Sequence, residues 1–302
     1  MHILITGATG FIGKDLCKYW LSAGHQITAL VRDLSAAKKK LPNVTYITTL
    51  DDLDNNETLD AVVNLAGAPI ADHLWTDKYR SLLLESRVST TSNLVALVRR
   101  LETKPSVVIS ASAAGFYGRR GGEVLKEHEP PQPIFMSNLC SRWESAAAPI
   151  EEMGVRLVIP RISVVLGAKG GALPKLVRPI KFGMGAVTGS GEQYFPWIHK
   201  VDLIRFFNHM LTTKALSGPI NAVAPGTLSN AQFNRTLASI LKRPLLLRVP
   251  EGILKLILGE MADLFVAGQH MSANKPVNDE DDDAWLTRAD LQSPKGFLQA
   301  QH

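Results

Sequence analysis

The sequence predicts an α/β protein: a doubly wound parallel sheet with a smaller, mostly helical C-terminal lobe. Three observations carry that expectation. Short apolar runs alternate with helical patterns through the first half, as in strands buried on both faces and joined by crossover helices. Gly24, Pro105 and Gly154 punctuate the returns from helix to strand, where such residues end helices. The first apolar run leads straight into Gly7, Gly10 and Gly13, and a helical pattern opens behind them.

The elements follow in order. Strands are expected at Ile3–Thr6, Ile27–Val31, Val44–Ile47, Ala61–Leu65, Val107–Ser110 and Arg156–Ile159. Helices are expected at Phe11–Ser22, Asp77–Leu101 and Asn138–Met153, each returning the chain by a right-handed crossover. After Pro160 the texture changes. Residues 166–196 hold Gly167, Gly170, Gly171, Gly183, Gly185, Gly189 and Gly191, and a stretch so dense in glycine reads as a functional loop or lid. A helix at Asp202–Leu211 and a strand at Ile220–Val223 follow, and residues 226–268 read as mostly helical. The run Asp279-Glu280-Asp281-Asp282-Asp283 reads as a solvated or disordered segment.

Composition excludes several classes. The chain has 302 residues, 45% apolar and 20% charged, which is ordinary globular composition. Its two cysteines, Cys17 and Cys140, make no metal-ligand spacing and no disulfide framework, and they fit a reducing compartment. With the first strand beginning at His2 no signal peptide is expected, and no apolar run approaches the ~20 residues needed to span a bilayer. A cytoplasmic protein without a membrane partner is expected. The net charge of +5 is spread in pairs and one triplet, Lys38-Lys39-Lys40, without interleaved aromatics, so a nucleic-acid partner is not expected. A homodimer is left open, because the apolar segment 252–268 suits a pocket wall or a dimer interface equally.

The glycine triplet has a chemistry of its own. A strand, a tight glycine turn and a helix N-terminus bring free backbone N–H groups and the positive end of a helix dipole to one point. That arrangement suits the pyrophosphate of a dinucleotide in a Rossmann-type fold.

A wider set of motifs carries a family resemblance. TGATGFIG at 6–13 and NLAG at 64–67 are joined by PIADHLW at 69–75, SR at 86–87, SASAAGFYG at 110–118 and RWE at 142–144. VVLG at 164–167, GGAL at 170–173, GSGEQY at 189–194 and WIH with Asp202 at 197–202 complete it. Over residues 1 to about 269 the chain resembles the extended branch of the short-chain dehydrogenase/reductase superfamily, within the bacterial epimerase family (YfcH-like, sugar-nucleotide-epimerase-like). The resemblance implies a nicotinamide-binding domain over residues 1–165 plus about 198–225, and a substrate lobe over 166–197 and 226–275. Residues 276–302 form a divergent tail. It implies cofactor contacts at Gly7, Thr9, Gly10, Phe11, Ile12, Gly13, Leu65, Ala66 and Gly67. Ile162-Ser163 and Gly185-Ala186 depart from the family pattern.

At the end of the second strand stands Arg32, where NAD-preferring enzymes place an acid that binds the ribose 2′-hydroxyl. A guanidinium there pairs with a 2′-phosphate, so NADP(H) is favoured over NAD(H), with Asp33 one position later arguing for restraint. The superfamily's catalytic tyrosine–lysine pair, four residues apart, is absent. The residues four after the five tyrosines are Ala23, Leu50, Leu83, Gly121 and Ile198. Counting back from Glu144, the dyad positions hold Met136 and Cys140. Tyr117 is the candidate substitute, and Ser112 occupies the superfamily's serine position; a pocket wall and a strand-end cap are the bland alternatives. For the small-molecule substrate the candidates are Arg87, Arg161, Gln193, Trp197 and His199, the last as readily a buried structural histidine. Two functions stay open: an NADP(H)-dependent oxidoreductase or epimerase-like enzyme on a small, nucleotide-linked or other substrate, and a non-catalytic NADP(H)-binding redox sensor or scaffold.

Overall fold

The computed structural model describes residues 1–168 and 170–273; the acidic run at 279–283 and the expected tail lie outside them. The chain opens with β1 (His2–Thr6), α1 (Gly13–Ser22), β2 (Gln26–Leu30), α2 (Leu34–Lys40), β3 (Thr45–Ile47), β4 (Ala61–Asn64) and α3 (Asp77–Arg100). It continues through β5 (Val107–Ser110), β6 (Ser112–Ala113), β7 (Val124–Leu125), α4 (Phe135–Ala147), α5 (Pro149–Glu152) and β8 (Arg156–Ile162). The main sheet runs Gly218–Ala222, β8, β5, β4, β1, β2, β3, with every pair parallel.

Strand alternation decides which helix covers which face. Ile3 and Ile5 join Leu16 and Trp20 of α1 and Phe207 of the helix Lys200–Thr212 in one core. Leu4 points the other way, to Leu94 and Val98 of α3 and Ile150 of α5. A strand buried on both faces has no room for a polar side, which is why these strands read as unbroken apolar runs. The strand order reverses between β1 and β4, so the carboxyl ends of these two strands frame the crevice where doubly wound sheets take ligands. This is the Rossmann-type α/β fold expected from the sequence.

Two expected elements change. The helix expected over Asn138–Met153 begins at Phe135 and breaks after Ala147, because Pro149 has no N–H to continue the ladder and its ring crowds the preceding turn. The glycine-dense stretch 166–196 is folded rather than a bare loop. Val164–Gly167 pairs antiparallel with Gly170–Gly171 and parallel with Trp197–His199. Leu173–Lys181 is a helix, and Ala186–Thr188 pairs with Leu247–Val249. Three of its glycines are required by close packing. A Cβ on Gly167, Gly170 or Gly171 would stand 2.9, 3.0 or 2.5 Å from the Phe11 ring.

This second lobe has its own core, built on Leu166, Leu173, Ile180, Trp197, Phe233 and Leu237. The helix Glu251–Leu258 contributes little to it and leaves Leu256 87% and Ile257 63% exposed.

Candidate functional site

The turn after β1 is shaped by contacts that admit only glycine. Gly7 has a φ of +71°, and a Cβ there would lie 2.6 Å from Leu65 O of the neighbouring turn. A Cβ on Gly13 would lie 2.3 Å from Gly7 O, so the helix can start tight against the strand. Gly10 N donates to Gly7 O at 3.0 Å and closes the turn. Helix α1 begins with no side-chain cap, and the N–H groups of Phe11, Ile12 and Gly13 make no hydrogen bond to another described residue. Three free donors at the positive end of a dipole suit a pyrophosphate. Thr9 is half-buried on the same turn.

A buried polar chain holds the facing turn, Leu65-Ala66-Gly67. Thr6 Oγ1 donates to Asn64 Oδ1 at 2.7 Å and accepts from the N–H groups of Leu65 and Ala66 at 3.2 and 3.1 Å. Asn64 Nδ2 donates to Thr91 Oγ1 at 2.8 Å. Thr6 and Asn64 were not among the expected site residues, although a polar residue ending each of two apolar strands was the available signal.

Arg32 and Asp33 are both exposed where β2 ends. Asp33 Oδ1 accepts from Ala36 N at 2.9 Å and is the N-cap of α2. Its carboxylate therefore serves the helix, and no carboxylate of a described residue lies within ion-pair distance of Arg32.

Beyond β5 the expected proton-transfer groups form a buried network. Ser112, 2% exposed, donates to Glu144 Oε1 at 2.5 Å. Arg161 lies inside β8 rather than after it, 3% exposed, and holds both oxygens of Glu144 at 2.9 Å in a bidentate pair. Arg161 Nη1 also donates to the Tyr117 hydroxyl at 3.1 Å and to Glu127 O at 2.9 Å. Tyr117 has no exposure, and its hydroxyl donates to Asn221 Oδ1 at 2.6 Å. Burial raises the Tyr117 pKa, against the lowering pull of Arg161.

Arg161 and Tyr117 are thus committed to neighbours inside the protein. The charge of Arg161, which the sequence offered to substrate, is neutralised by this bidentate pair. Asn221 belongs to this network and was missed; a polar residue inside the apolar run Ile220–Val223 was its signal. The dyad positions are apolar packing. A Cβ on Gly115 would lie 2.5 Å from Met136 Cγ and 3.6 Å from Cys140 Sγ, and burial pushes the Cys140 thiol up to about 12.

The remaining candidates separate clearly. Trp197 has no exposure and belongs to the second core. Gln193 braces the lobe, donating to Thr188 O at 2.8 Å and Phe265 O at 3.0 Å. His199 is buried, and burial with the Lys200 and Arg205 charges lowers its pKa to about 4. Desolvation leaves it neutral at pH 7. Arg87 alone of this set is half-buried beside the turn Leu65-Ala66-Gly67, against Gly67. Among the described residues no group of three or more His, Cys, Asp or Glu side chains is placed to hold a metal.

A model of the family described as "NAD dependent epimerase/dehydratase family" matches residues 3–223. Epimerase family protein YfhF of Bacillus subtilis is 35% identical over 282 residues, which is 92% of each chain. The chloroplastic SDR39U1 homolog of Arabidopsis thaliana, also termed an epimerase family protein, is 35% identical across 89% of this chain and 79% of its own. Among solved structures, human epimerase family protein SDR39U1 (isoform 2) with NADPH superposes with a TM-score of 0.84 at 28% identity, covering 99% of this chain and 98% of that one. UDP-glucuronic acid 4-epimerase from Bacillus cereus, in complex with UDP-glucuronic acid and NAD, shares the fold at 18% identity, with a TM-score of 0.74 and coverage of 100% and 98%.

Proposed function

Since the chain belongs to the NAD dependent epimerase/dehydratase family, we propose that it binds NADP(H) in preference to NAD(H). We further propose that it uses this cofactor as an oxidoreductase or epimerase-like enzyme on a small, nucleotide-linked or other, molecule. The capping of α2 by Asp33 carries the cofactor preference. It occupies the acid that would otherwise select a ribose 2′-hydroxyl, and it leaves the exposed Arg32 at the strand end for a 2′-phosphate. The human relative solved with NADPH supports the same choice. When bound, the cofactor would supply hydride transfer; the free N–H groups of Phe11, Ile12 and Gly13 would donate to its pyrophosphate, and Leu65, Ala66 and Gly67 would face its other side.

Fluorescence titration tests this directly. NADPH should bind at least tenfold more tightly than NADH, and Arg32→Ala should remove that preference while leaving NADH affinity unchanged. Equal affinity of the unaltered protein for both would sink the proposal.

The second reading, a non-catalytic redox sensor or scaffold, is favoured by one observation. The Ser112 and Tyr117 hydroxyls are both enclosed and committed to Glu144 and Asn221. Exposing a stoichiometric NADPH complex to fractionated metabolites separates the two. Oxidation confined to one fraction marks the enzyme, and none in any fraction marks the sensor. The homodimer remains a proposal for the exposed face of Glu251–Leu258, checked by sedimentation of the unaltered protein against Leu256→Glu. Among the described residues no helix is long and apolar enough to cross a membrane. We retain a cytoplasmic protein without a nucleic-acid partner as part of this proposal.

A further inference from the structure

On one side of the second lobe the layers run out. The strands Ala186–Thr188 and Leu247–Val249 form a two-stranded parallel pair. Parallel strands are ordinarily covered on both faces. Here Leu247 and Arg248 are exposed, and Leu247–Val249 has no second neighbour among the described strands. The helix that follows, Glu251–Leu258, buries none of its residues, and apart from Glu251 and Lys255 it is glycine, isoleucine and leucine. The turn carrying the exposed Phe182 and Met184 joins the same side, since a Cβ on Gly185 would stand 3.0 Å from Leu245. Leu246 is 85% and Phe182 71% exposed. Exposed apolar surface gathered in one place marks a contact.

The free charges around this face are of one sign. Lys181, Lys242, Arg243 and Arg248 are exposed and make no ion pair with a described residue. The acids nearby are already taken: Glu251 by Arg119 and Lys255, Asp263 by Arg119, Glu260 by Arg80. A two-fold contact between copies would set this face on itself, basic rim against basic rim, which like-charge repulsion disfavours. The occupant that fits is both acidic and apolar.

The same chain holds such a segment. Residues 279–283 are five consecutive acids, and Trp285, Leu286, Leu291, Phe297 and Leu298 follow them. On its way there the chain passes the strand pair, where Phe265 O accepts from Thr188 Oγ1 at 3.1 Å. Asp279 lies six residues beyond Ala273, about 20 Å of extended chain. A tethered segment also meets the face at a high effective concentration, ahead of the same segment from a second copy.

We propose that segment 279–298 docks in cis on this face, with its acids against the basic rim and its apolar residues over Leu246, Leu256 and Ile257. The proposal goes beyond the cofactor reading, needs no nicotinamide, and competes with a homodimer for the same surface.

Trp285 reports the docking. The other tryptophans, Trp20, Trp75, Trp143 and Trp197, are buried, so emission open to acrylamide comes from residue 285, and Trp285→Phe gives the background. The unaltered chain should be quenched barely more than Trp285→Phe. Leu256→Glu, at an exposed position, should raise the quenching of Trp285 several-fold. Lys181→Glu/Arg243→Glu should do the same, and adding Asp281→Lys/Asp282→Lys should restore protection, as charge pairing requires. Sedimentation should show a monomer throughout.

Trp285 open to acrylamide in the unaltered protein, or equally protected with and without Leu256→Glu, would overturn the proposal. Protection lost on dilution, in step with dissociation of a dimer, would overturn the cis arrangement and give the face to a second copy. An open Trp285 together with binding to phosphatidylserine vesicles, abolished by Leu256→Glu, would give it to an anionic lipid surface instead.

Discussion

Asp33 and Glu144 are both acids near an arginine, and they treat it in opposite ways. Asp33 turns from Arg32 to cap α2, whereas Glu144 offers both its oxygens to Arg161 and one of them also to Ser112. Removing each should separate the roles. Asp33→Ala should cost about 1 kcal/mol of stability, the usual worth of an N-cap, without altering the preference between NADPH and NADH. Glu144→Ala strands a guanidinium that is 3% exposed and should cost about 3–5 kcal/mol in urea denaturation. Ser112→Ala, which leaves the Arg161–Glu144 pair standing, should cost roughly 1 kcal/mol. A loss from Ser112→Ala as large as that from Glu144→Ala would show that the hydroxyl, not the ion pair, holds the network. Type and position made the triplet glycines, Arg32 and Ser112 legible in the sequence. The fate of Arg161 was not, because whether a buried arginine meets an acid from another helix is a tertiary fact.

At the scale of elements, the helix Lys200–Thr212 begins with two buried titratable groups. Burial raises the Asp202 pKa to about 6, with Arg205 opposing, and its Oδ1 has no hydrogen-bond partner among the described residues. A folded-state value above the unfolded one means that the folded protein prefers the protonated acid. The ionised form is therefore a penalty that grows as pH rises from about 4 to about 6 and is complete at pH 7. Asp202→Asn should be more stable than the unaltered protein at pH 7 by up to ~3 kcal/mol. That advantage should close as pH falls towards 4. His199, lowered to about 4, works the other way and withdraws stability as pH drops below about 6.5. Urea midpoints across this range check both signs, and an Asp202→Asn advantage independent of pH would refute the first. Hydrophobic period found these elements within a few residues at each end. It missed the break at Pro149 because the apolar face of α4 continues past it, and only the missing N–H stops the ladder.

For the whole molecule, the parallel order and the two-faced core were legible because each strand is buried on both sides. The second lobe was less so. Its glycines looked like freedom in one dimension, whereas in three dimensions Gly167, Gly170 and Gly171 are places where an aromatic ring comes close. Phe11, from the glycine turn after β1, fills that socket. Lys200 lies over its ring at 4.7 Å and pairs with Asp15 of α1. Gly171, at a φ of +70°, has neither the backbone nor the space for alanine. Gly171→Ala should therefore lower the thermal midpoint and weaken dinucleotide binding together, although residue 171 is far in sequence from the turn. Weakened stability with unchanged binding, measured on the folded fraction, would uncouple the two. The same ring sets a rule for recombining this chain with its relatives. A crossover between residues 13 and 167 joins a plug from one parent to a socket from another, and such chimeras should survive only when ring and glycines are inherited as a set.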